Sequence, residues 1–337
     1  MLHQYQRRIA KQVSALPGDF AGRRAWADYR KSTVQWLRRA CDLQGLRLGE
    51  PKTVSREAAG GLVRELVTAP QDEGLELPIR LLWKESKVAS KRPAVVLSHD
   101  STQCAGEKSL MEFARALAED GCLVAVPEHA SPNKLSRRAI KNLSSLYGAS
   151  DTVGLPPMAM RVWDDLAAAA CLSGRKDVGR IAMIGLGAGG VDAAVTAAVD
   201  DRVAALGVVG VITVRDWAEQ VAPKLNGFDR ILPYLPDITA TTDFQYIYSA
   251  AAPRPLLLVD ATDRPSWPAA AYERVRKMAE RVYGLEGAAS ALTAKAPQSP
   301  WGVEEVRQWL RTVGQIADGG WRHVPMESHG MVMEGRP

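Results

Sequence analysis

The stretch Arg180-Ile181-Ala182-Met183-Ile184-Gly185-Leu186-Gly187-Ala188-Gly189-Gly190-Val191-Asp192-Ala193-Ala194 constrains this chain more than any other. Ile181 to Ile184 is a short apolar run that reads as a buried strand, and glycines break it abruptly. The alanine-rich run from Val191 to Val199 then reads as a helix. A strand, a tight glycine turn and a helix aim one group at the top of a parallel sheet. Two chemistries use such a turn. One places a nucleophile on its tip in the pattern G-x-S-x-G, and here Gly187 stands where the serine would be. The other cradles a pyrophosphate with G-x-G-x-x-G, which Gly185, Gly187 and Gly190 match in spacing. A fold kept without its chemistry is the third outcome.

The elements on either side favour the first geometry. Leu62–Thr68 and Leu75–Trp83 read as an antiparallel hairpin, with Ala94–Leu97, Cys122–Val126, Val203–Val211 and Pro255–Asp260 as further strands. Glu107–Glu119, Met158–Leu172, Pro268–Tyr283 and Val303–Val313 read as the helices between them, with Ala288–Ala296 a weak last strand. Alternating strands and helices predict a mostly parallel sheet of about eight strands with both faces covered, an α/β fold. Residues 1–50 read as a helical extension in which Trp26, Tyr29, Thr33, Trp36, Leu37 and Ala40 form one apolar stripe. Residues 51–313 form the main domain, and 314–337 a tail. The aromatic, proline-interrupted stretch 213–252 reads as a cap. Its Trp217, Phe244 and Tyr246 are expected to wall a pocket above Gly187. A dinucleotide fold would set its glycines after the first strand, with an acid about 20 positions on. Several strands precede this turn, and the following strand ends without Asp or Glu.

This order of elements resembles the α/β-hydrolases, from about Leu62 to Val313. The nearest branch is the dienelactone-hydrolase-like and acetyl-xylan-esterase-like bacterial esterases. The stretches that carry the resemblance are Arg92-Pro93-Ala94-Val95-Val96-Leu97-Ser98-His99, Met160-Arg161-Val162-Trp163-Asp164 and Ala252-Pro253-Arg254-Pro255-Leu256-Leu257-Leu258-Val259. It implies an α/β-hydrolase fold and carboxylic-ester chemistry by a serine, a histidine and a carboxylate. Each station departs from that pattern. Gly187 replaces the serine. The acid's register lands on Arg264, with Asp263 one residue away. The histidine's register lands on Pro300 or Ser299, with His329 in the tail as the fallback. In the oxyanion region His99 is followed by Asp100 where glycine is usual, with Ala188 after the elbow residue as the other member. A carboxylate beside a developing oxyanion would repel it. The expectation is a pseudoenzyme with a binding or scaffold role. An esterase with a rearranged site and a nucleotide-binding protein are the alternatives.

Composition narrows the partners. The net charge of +5 is spread out, and arginine pairs such as Arg7-Arg8 and Arg137-Arg138 lack the aromatic interleaving of a nucleic-acid surface. No apolar run reaches the ~20 residues of a membrane span, and no signal-peptide core follows Met1, so the chain as written is expected in the cytoplasm, with export by a removed signal as the alternative. Four scattered cysteines form no C-x-x-C pair, and His99, His129, His323 and His329 share no metal-ligand spacing. No cofactor or metal is expected. A small carboxylated or ester ligand is, with Arg264 as its cation, and a protein partner or a second copy are the other candidates.

Overall fold

The chain's core strands are apolar on both sides, and that dictates where they sit. A computed structural model describes residues 2–71, 76–85, 91–99, 106–129, 154–221, 234–261 and 268–317. Among these, nine strands make one sheet: β1 (Lys52–Ala59), β2 (Leu62–Pro70), β3 (Glu76–Lys84), β4 (Arg92–His99), β5 (Leu123–Pro127), β6 (Val178–Leu186), β7 (Val203–Val209), β8 (Leu256–Val259) and β9 (Leu292–Lys295). Their order is β1-β2-β3-β5-β4-β6-β7-β8-β9. The first three strands form an antiparallel meander that joins β5 antiparallel, and from β5 to β9 every pairing is parallel. The parallel strands are buried on both faces because helices cover both, so their sequences are continuous apolar runs. In β4, Ala94 and Val96 point into one apolar layer, Val95 and Leu97 into the other.

The helices are α1 (Leu2–Ser14), α2 (Arg23–Ala40), α3 (Gly106–Glu119), α4 (Pro157–Ser173), α5 (Gly189–Val199), α6 (Val214–Asp216), α7 (Ile238–Thr241), α8 (Phe244–Ser249), α9 (Ala269–Leu285) and α10 (Val303–Ala317). One face of the sheet is covered by α4, α5 and α9, with α2 and α8 packed against these helices; α3 and α10 cover the other. Among the described residues no helix is long and apolar enough to cross a membrane.

Three sequence readings change. β1 has no sequence signal, because all eight of its residues are exposed and its sequence KTVSREAA shows no apolar alternation. The N-terminal helical stretch is two helices, broken at Pro17-Gly18. The stretch 213–252, in its described part, is a set of short helices rather than a wall over the turn. Phe244, Tyr246 and Tyr248 are buried in the main core. Helix α8 is only six residues long and is wedged against α5 and α9, so its three aromatics have only the core to enter.

The order of strands reverses around β4. The chain leaves β4 for β5 on one side and returns to β6 on the other. In such sheets the carboxyl ends of the strands beside the reversal form a crevice.

Candidate functional site

The glycine turn is an elbow at this edge. β6 runs buried to Leu186, Gly187 takes φ +62°, and α5 begins two residues later. The left-handed conformation disfavours any residue with a Cβ. The Gly187 N–H donates to the Val209 carbonyl at 2.9 Å, and the Gly190 N–H to the Gly187 carbonyl at 2.9 Å. The other glycines serve close packing. A Cβ on Gly185 would lie 2.4 Å from the Cα of Gly190, and one on Gly189 would lie 2.6 Å from the amide nitrogen of His99. Their spacing is thus accounted for by laying α5 against β6 and β4. The tip of the elbow carries no side chain.

Beside it lies a buried polar cluster gathered from four elements. β4 contributes Ser98 and His99, and β5 is followed by His129. α4 contributes Arg161, Asp164 and Asp165, and the first turn of α5 contributes Asp192; all seven are buried. Helical spacing puts residues 161, 164 and 165 on one face of α4. The Arg161 guanidinium donates from Nε to Asp192 at 2.6 Å and from Nη2 to the His99 carbonyl at 2.5 Å, so it ties α4 to α5 and to the end of β4. His129 donates from Nδ1 to Asp164 at 3.2 Å, and Asp164 also accepts from Gln71 Nε2 at 3.1 Å. His99 donates from Nε2 to the Pro127 carbonyl at 3.3 Å. The two imidazole rings stand 5.2 Å apart, centre to centre. The other nitrogen of His129, Nε2, lies 3.6 Å from an Asp165 oxygen, too far for a hydrogen bond.

Burial governs the protonation of this cluster. Desolvation, then the neighbouring His129 and Arg161, holds His99 well below the usual imidazole range. Desolvation, then Arg161, does the same to His129. Desolvation, reinforced by Asp192, pushes Asp165 well above the usual carboxylate range; the Ser98 hydroxyl, near enough to lower it somewhat, does not reach hydrogen-bond geometry with it. Both imidazoles are therefore neutral at pH 7. His129 and Asp164 thus make a buried imidazole–carboxylate pair, and Gly187 at the elbow carries no hydroxyl.

Of the residues expected at the site, Gly187, Ala188 and His99 come together: Ala188 precedes α5, and Gly189 packs on the His99 backbone. Asp100, Asp263, Arg264 and His329 lie outside the described residues. At the station assigned to histidine, Pro300 opens a 3-10 turn and Ser299 caps α10. The Ser299 hydroxyl donates to Glu305 at 2.7 Å and accepts from the Glu304 N–H at 3.0 Å. Trp217 is buried in the main core. The other two aromatics expected at the pocket, Phe244 and Tyr246, are likewise buried in the main core. Tyr246 packs edge-on against Phe20 and Tyr29, with ring centres 6.1 and 5.1 Å away, and its hydroxyl donates to the Pro17 carbonyl. Sequence reasoning misses the grouping of His129, Arg161, Asp164 and Asp165. The available signal is Arg161-x-x-Asp164-Asp165 inside an otherwise apolar helix, because ionisable groups on a buried helix must meet partners. Among the described residues no group of three or more His, Cys, Asp or Glu is arranged to hold a metal ion.

No protein-family model matches the chain. The Bacillus subtilis (strain 168) protein named Putative hydrolase YtaP is 30% identical over 222 residues, spanning 61% of this chain and 72% of that protein. Among solved structures, Methylesterase BT1017 superposes with a TM-score of 0.68 at 17% identity, covering 92% of this chain and 68% of its own. A putative acetyl xylan esterase from Bacteroides fragilis NCTC 9343 gives a TM-score of 0.71 at 12% identity, covering 92% and 94%. A glucuronoyl esterase from Solibacter usitatus gives 0.61 at 14% identity, covering 89% and 95%. With the strand order and the elbow of an α/β-hydrolase fold, and with the Bacillus subtilis relative covered over 72% of its length, the chain belongs to the α/β-hydrolase-fold family of that putative hydrolase.

Proposed function

We propose that this protein is a non-catalytic esterase relative that binds a small molecule at the elbow edge of its sheet. The observation that carries this reading is Gly187 at φ +62° on a retained elbow. An acyl-enzyme needs a hydroxyl or thiol at that tip, and glycine offers neither. Ser299, at the station where the resemblance sets histidine, is engaged in capping α10, which fits the same reading. The edge itself, at the reversal of strand order, is where such sheets hold ligands. The test is labelling with an organophosphonate probe beside a p-nitrophenyl acetate assay, on wild type and Gly187→Ser. Wild type should show no covalent adduct and no turnover above buffer. A stoichiometric adduct on any serine overturns the reading.

One observation favours a second reading, ester hydrolysis by a rearranged site: the His129–Asp164 pair stands at the same edge. It would have to activate water directly. In that case His129→Gln should lower ester turnover by about 100-fold or more.

A further inference from the structure

Among the described residues seven buried side-chain atoms lack a hydrogen-bond partner, and five of them belong to residues of this cluster: Ser98 Oγ, His99 Nδ1, His129 Nε2 and both oxygens of Asp165. Buried polar groups are paired almost without exception, so a concentration of this kind points to a ligand. The tautomers say what kind. His99 uses its Nε2–H on a carbonyl, and His129 its Nδ1–H on a carboxylate, so each neutral ring presents a bare lone pair. Ser98 and a protonated Asp165 can offer these lone pairs at most two protons. Even if Asp165 shared its proton with His129 and Ser98 turned to Asp165, His99 Nδ1 would stay unpaired. What these atoms can bind is a donor.

Charge points the same way. Among the described residues three carboxyl groups stand around the spot, Asp164, Asp165 and Asp192, against one guanidinium, Arg161. Arg80, which faces His99 from β3, is bridged to Glu128 at 2.6 Å. A carboxylated ligand would bring more acceptors and more negative charge to a place that already has both in excess.

We propose that His99 Nδ1, His129 Nε2 and Asp165, with Ser98 beside them, form a buried receptor for a primary ammonium group. The three hydrogens of R–NH3⁺ match the three acceptor groups, and its charge offsets one of the two carboxyl groups in excess of Arg161. Water offers two donors and no charge. The gap of 3.6 Å between His129 Nε2 and Asp165 is too long for a direct bond, yet short enough for one donor group to serve both. This inference rests on the binding role proposed above and names its ligand class, an amine; the described groups thus prefer the opposite charge to the ligand expected from Arg264. A bound cation favours ionised Asp165, so amine affinity should rise with pH while that carboxyl titrates, with release of a proton.

The test uses the full chain with 15N-labelled histidine and methylammonium chloride, and tetramethylammonium chloride as a cation of equal charge without N–H donors. Methylammonium should move the resonances of His99 Nδ1 and His129 Nε2 away from the bare-lone-pair position and raise the melting temperature, and tetramethylammonium should do neither. Asp165→Asn should weaken the methylammonium response by about tenfold or more. Equal responses to the two cations, or no movement of either nitrogen with methylammonium, overturns the proposal; both outcomes are read from wild type, even if the variant fails to fold. A labelled serine with the amine response intact would sink only the non-catalytic reading.

Discussion

A methyl group on Gly185 would stand 2.4 Å from the Cα of Gly190 and 2.6 Å from the carbonyl oxygen of Gly189, both backbone atoms that cannot rotate away. Gly187 is confined differently, by its φ of +62°. The two glycines should therefore respond differently to the same substitution. Gly187→Ala should cost about 1–2 kcal/mol, the strain of a left-handed alanine. Gly185→Ala should cost more than ~3 kcal/mol, because α5 must move off β6. Urea denaturation of both variants measures this, and equal losses would refute the packing account. The glycine turn is readable in the sequence because its strand–glycine–helix pattern is written in six consecutive residues, although some of the packing that needs the glycines comes from β4 and β7. The polar cluster is not. His129 and Asp164 are 35 residues apart, and only the fold brings β4, β5, α4 and α5 together at one edge.

Among the elements, α2 and α8 depend on each other. Phe20, Trp26, Tyr29 and Tyr246 form a chain of tilted and edge-on rings, with Trp26 fully buried. Trp26→Ala should cost about 3–5 kcal/mol. Trp26→Phe should cost much less, because it also removes an indole N–H that has no partner. A small loss for the alanine variant would mean that α2 only rests on the surface. The stripe that predicts α2 is legible because helical periodicity survives burial on one face. The destination of the α8 aromatics is not, since a short aromatic helix reads the same whether it faces a ligand or the core. Asp243, which accepts from the Val214 N–H at 2.9 Å just before α8, adds a pH test. Burial raises its pKa to about 6. A carboxyl that binds its proton more tightly when folded contributes stability below its unfolded pKa and loses it as pH rises through the folded one. Between pH 4 and 6 wild type should lose about 2 kcal/mol more than Asp243→Asn, whose amide oxygen can still accept from Val214. Parallel stability profiles would show that Asp243 keeps an ordinary pKa.

For the molecule as a whole, the question is whether residues 1–50 form a separable extension or part of one cooperative body. The contacts favour one body. Arg38 donates to the Val199 carbonyl at 2.6 Å, and Trp163 Nε1 donates to the Cys41 carbonyl at 2.6 Å. Arg281 grips Asp19 with two hydrogen bonds, and Gln12 accepts from Thr239 at 2.8 Å. Among the described residues three free thiols sample distinct regions: Cys41 after α2, Cys122 before β5 and Cys171 in α4. All are buried, and desolvation pushes their pKa values to about 12, 12 and 11. None should react with a maleimide until its region opens, since the reagent needs an accessible thiolate. If the molecule opens as a unit, the three should become reactive over the same urea range, with protection free energies within ~1 kcal/mol of one another, and Trp26→Ala should lower all three together. Peptide mapping by mass spectrometry reads each cysteine separately, Cys104 included. Modification of Cys41 at low urea, while Cys122 and Cys171 stay protected, would show instead that the N-terminal helices detach before the sheet unfolds.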